Sequence, residues 1–277
     1  MIVKGALAML PRDDRNERVY LDVEGGIGTI FLNRPGKRNA LDYGMWTKLK
    51  QLLDECATRP EVRVVVLRSV TEEAFSAGAD IGEFVTMRKD SETSAVYNRA
   101  TEAATLAIQS LSKPTIAMLQ GFCVGGGAQI AVACDLRFAG QGLKMGITPA
   151  KLGVVYGFIE TKMLVDLVGP SRAKDLLLSG RLLEAQEASQ VGLVDFLVPD
   201  EELKETTFRY AKGLLANADN SMRGTKTMVL AALQGVTEDT PELAQLVSES
   251  FDSREYKEGV AAFLEKRRPN FQPPILS

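Results

Sequence analysis

The stretch Pro114-Thr-Ile-Ala-Met-Leu-Gln-Gly-Phe-Cys-Val-Gly-Gly-Gly-Ala-Gln129 changes character twice. Thr115 to Leu119, directly after Lys113-Pro114, has the apolar composition of a short buried strand. Gly121 to Gly127 reads as a glycine-rich turn, and Ala128 to Cys134 as a helix. Successive glycines between strand and helix let backbone pass close to a ligand. They also leave unpaired N–H groups at a helix N-terminus, where partial positive charge gathers. Such a turn suits an anion or a developing oxyanion. A tight turn that only brings a helix against its strand would use the same glycines. A phosphate loop is excluded, because no Gly-Lys-Ser/Thr follows and the glycine spacing is not that of a dinucleotide fingerprint.

Similar units extend outward on both sides. Val19 to Val23 and Ile27 to Leu32 are β-rich runs, and Glu24-Gly25-Gly26 between them predicts a hairpin. Asn33 to Asn39 is a loop by its Pro, Gly and Asn content. Leu41, Met45, Leu49, Leu52 and Leu53 recur at helical spacing and stop before Pro60. Val62 to Leu67 reads as a buried strand, Thr71 to Asp80 as a loop, Ser94 to Leu111 as a helix and Asp135 to Ala139 as another strand. This alternation, continuing to about Val198, predicts an α/β core. From Asp200 the patterns are mainly helical: Leu203 to Ala216, Arg223 to Leu233, Glu242 to Phe251 and Tyr256 to Lys266. The expected organisation is a loose extension over residues 1–18, a core over 19–199 and a helical region over 200–277. That last region would serve either oligomerisation or packing onto its own core.

Composition narrows the chemistry. The chain has 277 residues, 33 Lys plus Arg against 36 Asp plus Glu, and no histidine. The near balance of charge argues against a nucleic-acid clamp or a polybasic membrane binder. Without histidine there is no Ser-His-Asp or Cys-His pair, no imidazole base and no His-ligated metal. Cys56, Cys123 and Cys134 are odd in number and far apart, which suits reduced core thiols. The short apolar run at the N-terminus lacks a signal-peptide cleavage pattern, and no segment approaches the ~20 apolar residues of a membrane span. The expectation is a soluble, cytoplasmic protein whose chemistry runs on carboxylates, amides, tyrosine, lysine or backbone dipoles.

Ala74-Phe-Ser-Ala-Gly-Ala-Asp-Ile81 is a second run of small residues after a strand. Its backbone N–H groups could supply a second donor to the same oxygen, and Ser76 has no histidine to activate it as a nucleophile. In this order, Phe75 to Ile81, Gln120 to Ala128 and Cys134 to Gly140 closely resemble the crotonase superfamily, the enoyl-CoA hydratase/isomerase group. Leu32 to Leu41, Pro149 to Gly153, Gly180 to Asp195 and Phe263 to Phe271 extend the resemblance through nearly the whole chain. It implies an α/β spiral of ββα turns with a C-terminal helical trimerisation region, assembled as a homotrimer or a hexamer of two trimers. It implies an acyl-CoA thioester as substrate and no cofactor beyond that coenzyme A, while the charge balance and the lack of an apolar span argue against nucleic acid or membrane as partner. By resemblance, the N–H groups of Ala77 and Gly126 hold the thioester oxygen and stabilise an enolate. Ala77, Gly78, Ala79 and Asp80 line the CoA path with Arg38 nearby, and Phe263 and Lys266 reach the CoA of an adjacent subunit.

The chain departs from the family at the proton-transfer positions. Hydratases of this group use two glutamates, and the matching positions hold Gln129 and Ala150. An amide orients by hydrogen bonding but does not shuttle a proton at neutral pH, and alanine does neither. Replacement groups must come from nearby loops: Tyr156 first, which would line the acyl pocket, then Glu160, Asp80 and Glu83. The sequence therefore predicts an acyl-CoA-processing lyase or isomerase with an altered proton relay. The alternatives are a non-catalytic CoA-thioester binder or assembly subunit of the same fold and, more remotely, an RNA binder.

Overall fold

The computed structural model describes residues 17–271, so the loose extension expected over residues 1–18 falls almost wholly outside the described residues. The strands are β1 (Val19–Glu24), β2 (Ile27–Leu32), β3 (Val64–Ser69), β4 (Ala74–Ser76), β5 (Thr115–Leu119), β6 (Phe122–Val124), β7 (Leu136–Gly140), β8 (Lys144–Gly146), β9 (Leu183–Glu184) and β10 (Phe196–Val198). The helices are α1 (Tyr43–Thr58), α2 (Phe84–Met87), α3 (Ser91–Ser110), α4 (Gly126–Ala133), α5 (Phe158–Val168), α6 (Pro170–Ser179), α7 (Ala185–Gln190), α8 (Leu203–Leu214), α9 (Asp219–Leu233), α10 (Pro241–Asp252) and α11 (Arg254–Leu264).

Gly25 and Gly26, both at positive φ, close the expected hairpin, with Glu24 opposite Ile27. That turn needs left-handed backbone at both central positions, which glycine adopts without a Cβ clash. Beyond the hairpin the chain winds as a spiral. β3, β5 and β7 each join a six-stranded sheet ordered β1-β2-β3-β5-β7-β10, parallel from β2 onward. The strands that follow them, β4, β6 and β8, form a second, four-stranded sheet with β9. Each turn thus places one strand in each sheet before its helix, which is the ββα spiral the resemblance implied.

The large sheet is covered on both faces, so its central strands read as continuous apolar runs instead of alternating ones. Val65 and Leu67 of β3 face the main core with Trp46, Leu49 and Ile108, while Val64 and Val66 face a smaller core completed by Leu203 and Ala211 of α8. The region after Asp200 is therefore not uniform. α8 packs beneath the sheet, whereas α9, α10 and α11 bury only Ala262 and expose Val247, Phe251, Phe263 and Leu264. Cys56, Cys123 and Cys134 are free and buried.

A backbone-lined cavity as candidate active site

Asn39 ties the first loop to the second. At φ +54° it occupies the left-handed region that asparagine tolerates better than most residues. Its buried Nδ2 lies within hydrogen-bond distance of Ser69 Oγ (2.8 Å) and of the Ala74 and Phe75 carbonyl oxygens (3.1 Å each). The Ser76 hydroxyl donates to the Asn39 carbonyl oxygen at 2.8 Å and accepts from the Gly78 N–H at 3.2 Å. The second loop meets the glycine turn directly. A Cβ on Gly78 would stand 3.0 Å from the Val124 carbonyl oxygen, and one on Gly127 would stand 2.7 Å from Ser76 Cβ, so the two loops approach closely only as glycines.

These loops open onto a cavity of about 550 Å3. Ala77, Gly78, Ala79, Gly125, Gly126 and Gln129 line it from one side; Tyr97, Asn98, Thr101 and Glu102 of α3, Pro149, and Tyr156 to Glu160 at the start of α5 close it. Trp46 Nε1 donates to the Tyr97 hydroxyl at 3.1 Å, which donates to the Leu41 carbonyl oxygen, fixing the aromatic wall.

One donor differs from the sequence expectation, by two residues along the loop. The Ala77 N–H is committed to the Arg38 carbonyl oxygen at 2.9 Å, so it cannot serve a ligand as expected. The flanking bonds of the Leu41–Ala79 bridge run from the Leu41 N–H to the Gly78 oxygen and from the Asp80 N–H to the Leu41 oxygen. Among the described residues neither the Ala79 N–H nor the Gly126 N–H, at the first position of α4, donates to a protein acceptor. Two cavity-lining amides on touching loops thus remain without a protein acceptor.

The polar end of the cavity is ordered by a chain of hydrogen bonds. The Thr105 hydroxyl donates its one proton to the Thr101 carbonyl oxygen at 2.8 Å, so it accepts from Gln129 Nε2 at 2.7 Å. The same Nε2 donates to Glu160 Oε1 at 3.1 Å. Glu160, expected at the sequence level as one of several candidates, is buried at the N-terminal turn of α5 and lines the cavity. Burial pushes its carboxyl above the ordinary glutamate range; its own backbone N–H opposes this, and Glu102 reinforces it. Burial also raises the Tyr156 phenol, with Glu160 adding to the effect. Tyr156 is therefore a neutral donor at neutral pH.

Three expected site residues stand elsewhere. Asp80 does not line the cavity: it pairs with Arg34 at 2.7 Å and Lys37 at 3.0 Å and caps the Gly82 N–H. Lys37 chiefly, then Arg34 and the Gly82 amide, draw its carboxyl down to about 2, which makes it a loop clamp and a poor base. Glu83 accepts from the Tyr43 N–H at 2.8 Å, away from the cavity. The Arg38 guanidinium turns to Glu73 at 2.6 Å and stacks over Phe122. Ala150 is exposed on the turn Pro149–Leu152 and carries no acid into the cavity. Phe263 and Lys266 are exposed at the end of α11, outside the cavity of their own chain. Sequence reasoning missed Glu102, Thr105 and Arg88. Asn98, Glu102 and Thr105 recur at i, i+4 and i+7, a polar stripe that reads as an ordinary solvated helix face.

A ββα spiral with free backbone amides and a buried carboxyl around one cavity is the α/β architecture the sequence resemblance implied. The family model for enoyl-CoA hydratase/isomerase matches residues 22–274, and the chain belongs to that family. A relative from Thermus thermophilus, named provisionally as an enoyl-CoA hydratase, is 38% identical over 90% of this chain and 98% of its own. The crotonyl-CoA hydratase of Syntrophomonas wolfei is 31% identical over 92% of this chain and 98% of its own. The crystal structure of an enoyl-CoA hydratase/carnithine racemase from Magnetospirillum magneticum superposes with a TM-score of 0.89 at 33% identity, covering 92% of this chain and 96% of that one.

Proposed function

We propose that the chain acts on an enoyl-CoA thioester, moving a proton through Glu160 while the thioester oxygen is held by the Ala79 and Gly126 N–H groups. The observation that carries this reading is the buried Glu160 carboxyl, lining the same cavity as those amides and held by Gln129. Enolate charge develops on the thioester oxygen as the reaction proceeds, and each pre-aimed donor contributes about 3 kcal/mol there. In the hydration direction ionised Glu160 takes a proton from water as the water oxygen bonds to Cβ, and the double-bond electrons move to the thioester oxygen. The same carboxyl then returns the proton to Cα, giving a 3-hydroxyacyl thioester. In the isomerase direction it removes a proton from one carbon and returns it two carbons away. Gln129 positions Glu160, and Tyr156 donates a hydrogen bond to the acyl group or water.

The test is solvent-deuterium incorporation at Cα, followed by NMR over short- and medium-chain enoyl-CoAs. Glu160→Gln should lower exchange by at least about 100-fold while leaving the affinity for a saturated acyl-CoA intact. Exchange within threefold of wild type would overturn the assignment. Tight thioester binding without exchange on any substrate would favour the non-catalytic binder, a reading supported by Gln129 and Ala150. The exposed Phe251, Phe263 and Leu264 support assembly as a trimer, which light scattering would measure.

A further inference from the structure

The cavity contains a cation that the proton chemistry does not use. The Arg88 guanidinium lines it, with its central carbon 4.7 Å from the centre of the Phe84 ring and 5.1 Å from that of Tyr97. Nη2 donates to Asn98 Oδ1 at 3.3 Å, and among the described residues Arg88 forms no ion pair. Contact with two rings holds the guanidinium in place, and the N–H donors not given to Asn98 can meet an anion. Arg88 is half-buried and forms no ion pair among the described residues, so an anion entering the cavity meets a positive charge that no protein carboxylate neutralises by direct contact.

The cavity is also polarised along α3. Asn98, beside Arg88, lies two turns from Thr105, beside Gln129, about 10 Å along the helix axis. The buried carboxyl thus sits towards one end and the unpaired cation, against Tyr97, towards the other. We propose that Arg88 and Asn98 form a carboxylate-recognition subsite, so that the preferred acyl group carries a second, ionised carboxyl at its far end, as in the mono-CoA thioester of a dicarboxylic acid. The proposal rests on the acyl-CoA reading above and names its substrate class.

Three matched pairs of saturated thioesters test it by calorimetric titration: succinyl- against butanoyl-CoA, glutaryl- against pentanoyl-CoA, and adipyl- against hexanoyl-CoA. None needs to react, so binding is read apart from turnover. The expected result is that in at least one pair the acid binds wild type about tenfold or more tightly. Arg88→Gln should abolish that preference while holding the neutral member within threefold, and Arg88→Lys should restore part of it. Asn98→Ala should reduce the preference without Arg88 being altered. Equal or weaker binding of the acid in every pair overturns the proposal, as does a preference that survives Arg88→Gln. Loss of affinity for both members alike in Arg88→Gln also overturns it, because Arg88 would then serve the phosphates of CoA. Failure of every thioester to bind wild type overturns the acyl-CoA reading itself, and with it this one.

Discussion

Gly157→Ala separates the position of the Glu160 carboxyl from its chemistry. Gly157 caps α5 at φ −61° and ψ 152°, a backbone conformation that alanine adopts freely. A Cβ there would stand 2.2 Å from Glu160 Oε2, so the carboxyl must retreat by about 1 Å to reach normal contact. The obstructed atom is the end of a flexible side chain, and stability should change by less than about 1 kcal/mol, with the alanine restricting the unfolded chain slightly in its favour. Displacing a proton-transfer group by about 1 Å costs on the order of 100-fold in rate, or about 2.7 kcal/mol of barrier. The assay pairs Cα deuterium exchange with thermal melting. Because the new methyl also enters the cavity, Gly157→Ala is combined with Glu160→Gln: if it acts through the carboxyl, the double variant is no slower than Glu160→Gln alone. Wild-type exchange in a folded Gly157→Ala protein, or additive losses in the double variant, would refute the reasoning.

The pH dependence of stability follows from the sign of each shift. Glu160 has a folded-state pKa above its unfolded value, so its stabilising contribution is complete below the unfolded value near 4.3 and is lost as pH rises through the folded one. Glu160→Gln should therefore melt higher than wild type at pH 7 and converge with it near pH 4, as calorimetry would show. Asp80 is the opposite case: lowered to about 2, it contributes above about pH 4, and Asp80→Asn should cost about 1–2 kcal/mol at pH 7, a difference in denaturant stability that disappears as pH falls towards 2. Gln129→Leu removes the donor to Glu160, and the acidic limb of the pH–rate profile should move to higher pH. Gly121→Ala would place a Cβ 1.9 Å from the Glu73 carbonyl oxygen at φ +61°, and should lower unfolding stability by at least about 3 kcal/mol.

The large sheet was legible because apolar runs bounded by turn residues identify strands directly: Ile27–Leu32 and Thr115–Leu119 form with the boundaries expected. The second sheet was not, since β4, β6 and β8 are three residues each, shorter than any periodicity can report, and β4 and β6 lie in segments that read as loop and turn. The two small-residue loops announced backbone donors, but which amide is free depends on a bond from Ala77 to Arg38, a partner that composition does not reveal. Glu160 read as one of several candidate carboxylates, beside Asp80 and Glu83. Only the packing of α5 against α4, which carries Gln129, makes it a buried acid. Arg88 escaped notice because an arginine after a short helix reads as a surface charge until Phe84 and Tyr97 are seen beneath it.

The two free amides belong to the main chain; Asn39 and Ser76 fasten the loop that carries Ala79, and Tyr97 of α3 steadies the Leu41 carbonyl oxygen beside it. An N–H group is present whatever the side chain, so these two donors do not depend on which residues furnish the acidic half. Substitutions at positions such as Gln129, Ala150 or Glu160 can exchange one proton carrier for another, or move it to a different helix, while the oxygen cradle persists. A scaffold built this way can change its acidic side chains without rebuilding the pair of backbone donors.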